Sequence, residues 1–324
     1  MTQGSEEQAT KLRIGVSACL VGHEVRYNGG HLRDSGLASL TPYVEWVTVC
    51  PEVESGMGVP REEVNLIGTA ESHRMIGRRS GTDFTDNMKS WGTNRVAALA
   101  GENLDGFILT KDSPSCGVFR VRVRQDNNSS PSRNAMGIFA RLLTDALPHM
   151  PVEEQGRMND PRLRERFIDH VYVRSRWQHM LDTERSARGL VRFHTNHKMT
   201  LMSHNESVYR SMGRVVANAG KNDLSEVLNE YQSLLTRTMQ TLATTKRHTN
   251  VLQHLTGYLK QALGSEDKQE LADLIERYRQ GSVPLIVPVT LLHHHFRRNP
   301  VNDWVTSQIY LDPYPYELML RNAS

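Results

Sequence analysis

Three short apolar runs, each leading into a turn that carries a cysteine, constrain this chain more than any other feature. They are Ile14-Gly15-Val16-Ser17-Ala18-Cys19, Trp46-Val47-Thr48-Val49-Cys50-Pro51, and Phe107-Ile108-Leu109-Thr110 with the following Lys111-Asp112-Ser113-Pro114-Ser115-Cys116-Gly117. Runs of this length, bounded by Gly, Pro and Ser, read as buried strands. If they are parallel strands of one open sheet, their carboxyl ends share the edge where ligands bind in open α/β folds. The chain has three cysteines in all, and this arrangement would bring every one of them to that edge.

Thiolates are soft ligands that suit zinc, copper(I) and iron-sulfur clusters, and a four-iron cluster normally takes four of them. A cluster held by three keeps one iron open, as a three-ligand zinc site keeps a position for water. The count therefore points to catalysis rather than to a structural staple. The competing reading is that free cysteines are small buried hydrophobes, and placement in turns rather than inside strands argues against it. The spacing matches no zinc-finger, thioredoxin or CxxxCxxC pattern. An odd number of cysteines argues against a disulfide framework and fits a reducing compartment. Residues 1–10 are polar and lack an apolar stretch, so neither a signal peptide nor a membrane anchor is expected and the protein is expected to be cytoplasmic.

A length of 324 residues suggests two domains. The expectation is an α/β chain: a Rossmann-like N-terminal domain over 11–150 and an all-α C-terminal domain over 158–324. Leu12–Val16, Val44–Val49 and Phe107–Thr110 read as strands, Asn65–Ile67 and Arg74–Ile76 as a hairpin, and 85–104 as a crossover helix weakened by Gly92. Phe119 to Arg124 alternates strictly and is expected to be an edge strand with Arg120, Arg122 and Arg124 on one face. A polar loop over 126–134 and a helix over 137–147 follow, and Pro148 and Pro151 mark the boundary. Beyond it, apolar residues recur at helical spacing through Leu224–Leu242, Val251–Leu263 and Leu271–Tyr278, and Pro284 and Pro288 introduce a last helical hairpin.

Charge is uneven. Between 157 and 192 nine arginines face five acids, a density suited to phosphate contacts, although a solvated helix face explains it as well. His194 and His197 stand at a spacing compatible with a metal but lack a third ligand, so ordinary hydrogen bonding is expected. Tyr310, Tyr314 and Tyr316 could stack bases, while docking of the tail onto the core is the expected role.

Taken together, Ser17-Ala18-Cys19-Leu20, Arg26-Tyr27-Asn28-Gly29-Gly30, Cys50-Pro51-Glu52 and Ser113-Pro114-Ser115-Cys116-Gly117 resemble the bacterial thiouracil desulfurases over residues 11 to about 148. The remainder, in stretches such as Arg247–His254 and Val283–Pro288, is similar to the helical domain fused to some of these proteins. The two-domain arrangement resembles desulfidases that remove sulfur from 4-thiouridine in tRNA. The resemblance implies a 4Fe-4S cluster held by Cys19, Cys50 and Cys116, with an open iron for the substrate sulfur. It also implies a catalytic Glu52 and a catalytic serine, Ser113 or Ser115 with Ser113 the first choice. A tRNA substrate and a hydrosulfide product follow from the same resemblance, and the polar start of the chain adds the expectation of no membrane partner.

The chemistry is consistent with the residues. A soft Lewis acid prefers a thiocarbonyl sulfur to a carbonyl oxygen, and a carboxylate can serve as base and then acid for the attacking water. Glu52 could equally be a helix-start carboxylate, and the serines could be turn or capping residues. Two other functions stay open: desulfuration of free thiolated pyrimidines such as thiouracil, and a non-enzymatic module binding zinc and RNA.

Overall fold

The computed structural model describes residues 11–125 and 130–322. The chain divides into two compact units, with the boundary between Asn159 and Asp160. In the first, chain order gives β1 (Leu12–Ser17), α1 (Ser35–Ala38), β2 (Val44–Val49), β3 (Val64–Gly68), β4 (His73–Gly77), α2 (Thr85–Ala100), β5 (Gly106–Leu109), β6 (Val121–Arg124), β7 (Ser132–Ala135), α3 (Ile138–Ala146) and β8 (Val152–Glu154). β1 pairs in parallel with β2 and β5, and β5 with β8, in the order β2-β1-β5-β8. The three expected strands are therefore neighbours, and their carboxyl ends lie on one edge. Gly15 faces Phe107 in the β1–β5 register, and the Phe107 ring occupies the space a Cβ on residue 15 would need, 2.2 Å away. Phe107 packs on Phe139, and Trp91 on Phe139, at ring distances of 6.2 and 5.6 Å. Gly92, which weakens α2 as a helix, is the point where Leu142 of α3 comes within 2.7 Å of a would-be Cβ, so close helix packing explains it.

A second sheet runs β4-β3-β6-β7. The hairpin of β3 and β4 forms as expected. β6 does not lie at an edge: it pairs in parallel with β3 and antiparallel with β7. Its edge is covered by Ser132–Ala135, part of the segment expected as a polar loop; residues 126–129 of that segment lie outside the described residues. A strand built of Ser, Arg, Asn and Ala pairs through its backbone and leaves no hydrophobic alternation to read. Val121 and Val123 are buried and Arg122 and Arg124 exposed, whereas Arg120 sits at φ 57 before the strand begins, so the arginine face has two members. Beyond Pro151, β8 adds the fourth strand of the first sheet.

The second unit is helical: α4 (Pro161–Thr183), α5 (Ala187–Asn196), α6 (Lys198–Ala217), α7 (Leu224–Met239), α8 (Thr245–Gly257), α9 (Ser265–Arg279), α10 (Ile286–Arg298) and α11 (Asp303–Thr306). Asp160, Ser186, Asp223 and Thr244 cap α4, α5, α7 and α8 through their side chains, each satisfying orphan N–H groups. The expected final hairpin is instead one helix, with Pro288 tolerated in its first turn, followed by the four-residue α11. One core is centred on Trp177 stacked on Tyr231 at 5.1 Å, and another on Leu252, Leu271, Leu292 and Tyr310. The tail docks as expected, with Tyr310 fully buried, while Tyr316 stays 73% exposed. No helix of the described residues is long and apolar enough to cross a membrane.

Burial depresses the pKa of His170 and His197 to about 3 and of His194 to about 4. These rings are neutral in the fold, so the unfolded chain binds more protons below its histidine pKa of about 6.5. Their stabilisation is complete above that value and is lost as pH falls from about 6.5 toward 3, by on the order of 1 kcal/mol per pH unit for each histidine. The urea midpoint of the helical signal should therefore drop steadily between about pH 7 and about pH 5. A flat midpoint over that range would contradict the burial of these rings.

Candidate functional site

The site grows from the carboxyl ends of β1, β2 and β5. Cys19 lies in the 3-10 turn Ala18–Val21 that follows β1, closed by Gly22 at φ 103. Cys50 follows β2 directly and its N–H donates to Glu54 Oε1 at 2.8 Å. Cys116 lies in the loop after β5, tightened by Gly117 N–H to Ser113 O at 2.8 Å. All three thiols are free, and all three line one cleft of about 450 Å³ together with Glu52, Arg61, Thr110 and Ser113. Cys19 Sγ is 3.2 Å from Thr110 Oγ1, and Cys50 Sγ lies 3.7 Å from Val25 O.

Burial pushes the pKa of Cys19 and Cys50 up, and that of Cys116 well up, with the Glu52 charge as the second cause at Cys116. The desolvated cleft thus favours thiols over thiolates. A group that binds thiolates here must bring positive charge and displace protons.

Glu52 is the hub of the polar side. Its Oε2 accepts from Arg61 Nε at 2.8 Å and Nη2 at 2.5 Å, and its Oε1 accepts the Ser115 hydroxyl. The side chains of Arg61 and Glu52 are 6% and 14% exposed, which makes this a largely desolvated pair. Arg61 Nη1 also donates to Val25 O and Gly58 O, both at 3.0 Å, so the guanidinium ties together the loops after β1 and β2.

The two candidate serines divide the work. Ser113 lines the cleft, and its Oγ accepts the N–H of Ser115 at 3.3 Å and of Cys116 at 3.1 Å. Ser115 is fully buried, donates to Glu52, and stands 3.4 Å from the Ser113 hydroxyl. A chain of hydroxyls therefore runs from the cleft to the carboxylate. The loop is pinned from behind by α3, through Ile138 N–H to Pro114 O and Ala140 N–H to Ser115 O, both 3.1 Å. Gly137 is required there because a Cβ would stand 2.5 Å from Ser115 O.

Arg61, Thr110 and Glu154 carry structural roles here that sequence reasoning missed. Glu154 accepts the N–H of Val118 at 2.7 Å and of Phe119 at 2.9 Å, supporting the chain after Cys116. Arg61 belongs to no motif and meets Glu52 only because the turn Val53–Met57 folds back; the sole local mark is the proline before it. The cations singled out from sequence scatter. Arg74 and Arg78 pair with Asp83 and Glu63, Arg157 pairs with Glu153 and covers the Phe119 ring, Arg176 donates to Pro313 O, and Arg192 pairs with Glu184. The cleft is rimmed by Arg26, Lys111, Arg122 and Arg133. His194 and His197 take separate partners, Tyr231 OH at 3.1 Å and Phe193 O at 2.8 Å. Among the described residues no group of three or more His, Cys, Asp or Glu is disposed to hold a single metal ion.

Two family models match the chain: 2-thiouracil desulfurase over residues 14–155 and a protein of unknown function, DUF1722, over residues 198–315. The YbgA protein of Escherichia coli (strain K12) is 30% identical over 164 residues, 49% of this chain and 96% of that protein. The YbbK protein of Bacillus subtilis (strain 168) is 34% identical over 109 residues, 32% of this chain and 72% of that protein. A solved [4Fe-4S]-dependent thiouracil desulfidase, TudS, is 25% identical, with a TM-score of 0.39, covering 46% of this chain and 95% of its own.

Proposed function

Since this chain belongs over residues 14–155 to the 2-thiouracil desulfurase family and continues into a DUF1722 region, we propose that its first unit is a cluster-dependent desulfidase acting on 4-thiouridine in tRNA. The observation that carries the reading is the convergence of Cys19, Cys50 and Cys116 with the Glu52–Arg61 pair in one cleft. The donor set fits a four-iron cluster: three soft ligands, no disulfide among them, and a cleft that gives the group room on its open side. When bound, the cluster supplies a soft Lewis acid for the substrate sulfur.

The chain's own groups supply the proton traffic. Arg61 holds Oε2 of Glu52 with two N–H groups, which keeps the carboxylate oriented and leaves Oε1 for exchange with the Ser115 hydroxyl. Glu52 takes a proton from water as it adds to the thiocarbonyl carbon and returns one as the C–S bond breaks. Ser115 and Ser113 carry protons between Oε1 and the cleft. Thiocarbonyl and water become carbonyl and hydrogen sulfide, with no net change of oxidation state. Arg26, Lys111, Arg122 and Arg133 line the cleft with Asp112 and Glu63, and this excess of cations supports a substrate that carries phosphate; a base in folded RNA must be exposed before it can enter.

Anaerobic turnover of tRNA containing 4-thiouridine, compared with free 2-thiouracil, tests the substrate. The tRNA reaction should weaken at least tenfold between about 50 and about 200 mM salt at limiting substrate, and any reaction with the neutral base should not. Turnover of the free base alone would overturn the tRNA assignment. Each of Cys19→Ala, Cys50→Ala and Cys116→Ala should lose most of the reconstituted iron and the brown colour; full iron retention in any one would remove that residue from the ligand set.

A further inference from the structure

The helical unit holds a cavity of about 180 Å³ whose lining includes Arg162, Glu165, Arg166, Asp169, His204 and His248. Asp169 is 5% exposed, yet its Oδ1 has no hydrogen-bond partner among the described residues. A buried carboxylate oxygen without a donor is unfavourable, and this one belongs to a residue that lines the cavity. The other oxygen, Oδ2, lies 3.4 Å from His204 Nε2, while His204 Nδ1 donates to Thr241 O at 2.7 Å.

A donor lines the same cavity. Burial pushes the Tyr310 phenol far up, so it keeps its proton and can give it to His248 Nδ1, 2.9 Å away. The remaining ring proton of His248 is then on Nε2, which makes this cavity-lining residue a donor. A hydroxyl is the group that gives to a carboxylate and accepts from an imidazole N–H at once. Arg162 and Arg166 add positive charge one helical turn apart on α4, with Arg162 exposed. Glu165 does not cancel it, because its carboxylate already faces Arg321 at 3.7 Å and accepts from Tyr314 OH at 3.0 Å.

We propose that this cavity binds a ribose-phosphate unit, with Arg162 and Arg166 on the phosphate and Asp169 and His248 on the 2′-hydroxyl. Guanidinium groups suit phosphate oxygens, and a 2′-hydroxyl contact separates ribose from deoxyribose. The unit would come from a free ribonucleotide or from an RNA strand, and the site stands whether or not the first unit acts on tRNA.

Calorimetric titration of the full chain tests it, using uridine 5′-monophosphate, its 2′-deoxy counterpart, inorganic phosphate, and RNA and DNA decamers of one sequence. The ribonucleotide should bind at least about tenfold tighter than the deoxynucleotide. Arg162→Ala, a change at an exposed position, should weaken the ribonucleotide about tenfold, and Asp169→Asn should bring the two sugars to within about twofold of each other. If Asp169→Asn fails to fold, the parent's sugar preference and the Arg162→Ala result decide. The same preference between decamers identifies a strand as the source; preference confined to mononucleotides identifies a free ribonucleotide. Equal binding of the two sugars, equal affinity for inorganic phosphate, or a ribonucleotide affinity untouched by Arg162→Ala would overturn the proposal.

Discussion

Glu52→Gln should lower turnover by about 10²- to 10⁴-fold while leaving the bound iron in place. The amide matches the carboxylate in shape, so it can still receive Arg61 and meet Ser115, but it cannot take a proton from water. Cys50, the cysteine closest to Glu52 in sequence and one of the three proposed ligands, is set by β2 and by its own backbone contact to Glu54, neither of which involves the Glu52 side chain. Activity and iron content therefore separate in this variant. Comparing initial rates per reconstituted cluster gives the answer; a rate within about threefold of the parent would remove Glu52 from acid–base chemistry.

Arg61→Met should destabilise the first unit by about 3–5 kcal/mol, because it strands a desolvated carboxylate. That is a large share of a typical stability of about 5–15 kcal/mol. Arg61 has no substitute in lysine: Nε and Nη2 grip Glu52 while Nη1 bridges two carbonyls, a fork that an ammonium cannot reproduce. The double variant Glu52→Gln, Arg61→Met leaves no buried charge and should recover a good part of the stability without recovering activity. Denaturant midpoints of the two single variants and the double close the cycle. An additive double variant would mean that the pair contributes nothing as a pair.

The edge that carries the three cysteines was readable because hydrophobic runs identify strands and turn residues locate their ends. Cys19, Cys50 and Cys116 sit at those ends, so the sheet order β2-β1-β5 was enough to bring them together. Elements that depend on backbone pairing were not readable. β7 has no apolar alternation, and without it β6 looked like an edge. β8 lies beyond two prolines and joins the sheet through a pairing that spans the chain from Phe107 to Val152. Long-range polar contacts were also hidden. Arg61 reaches Glu52 through irregular backbone, and which of Ser113 and Ser115 meets the carboxylate is a property of loop geometry alone. The ten-residue α5 and the long α4 carry the arginines, but which of them are free depended on partners such as Pro313 and Glu184 that no spacing rule connects.

The most direct measurement is anaerobic reconstitution with iron and sulfide, followed by incubation with thiolated substrate, reading thiocarbonyl absorbance and released sulfide together. The account predicts one sulfide for each thiocarbonyl lost, no consumption of an added reductant, and no reaction in Cys50→Ala. Thiocarbonyl loss that persists in Cys50→Ala, or a fully loaded parent protein that leaves both 4-thiouridine tRNA and thiouracil untouched, would contradict it.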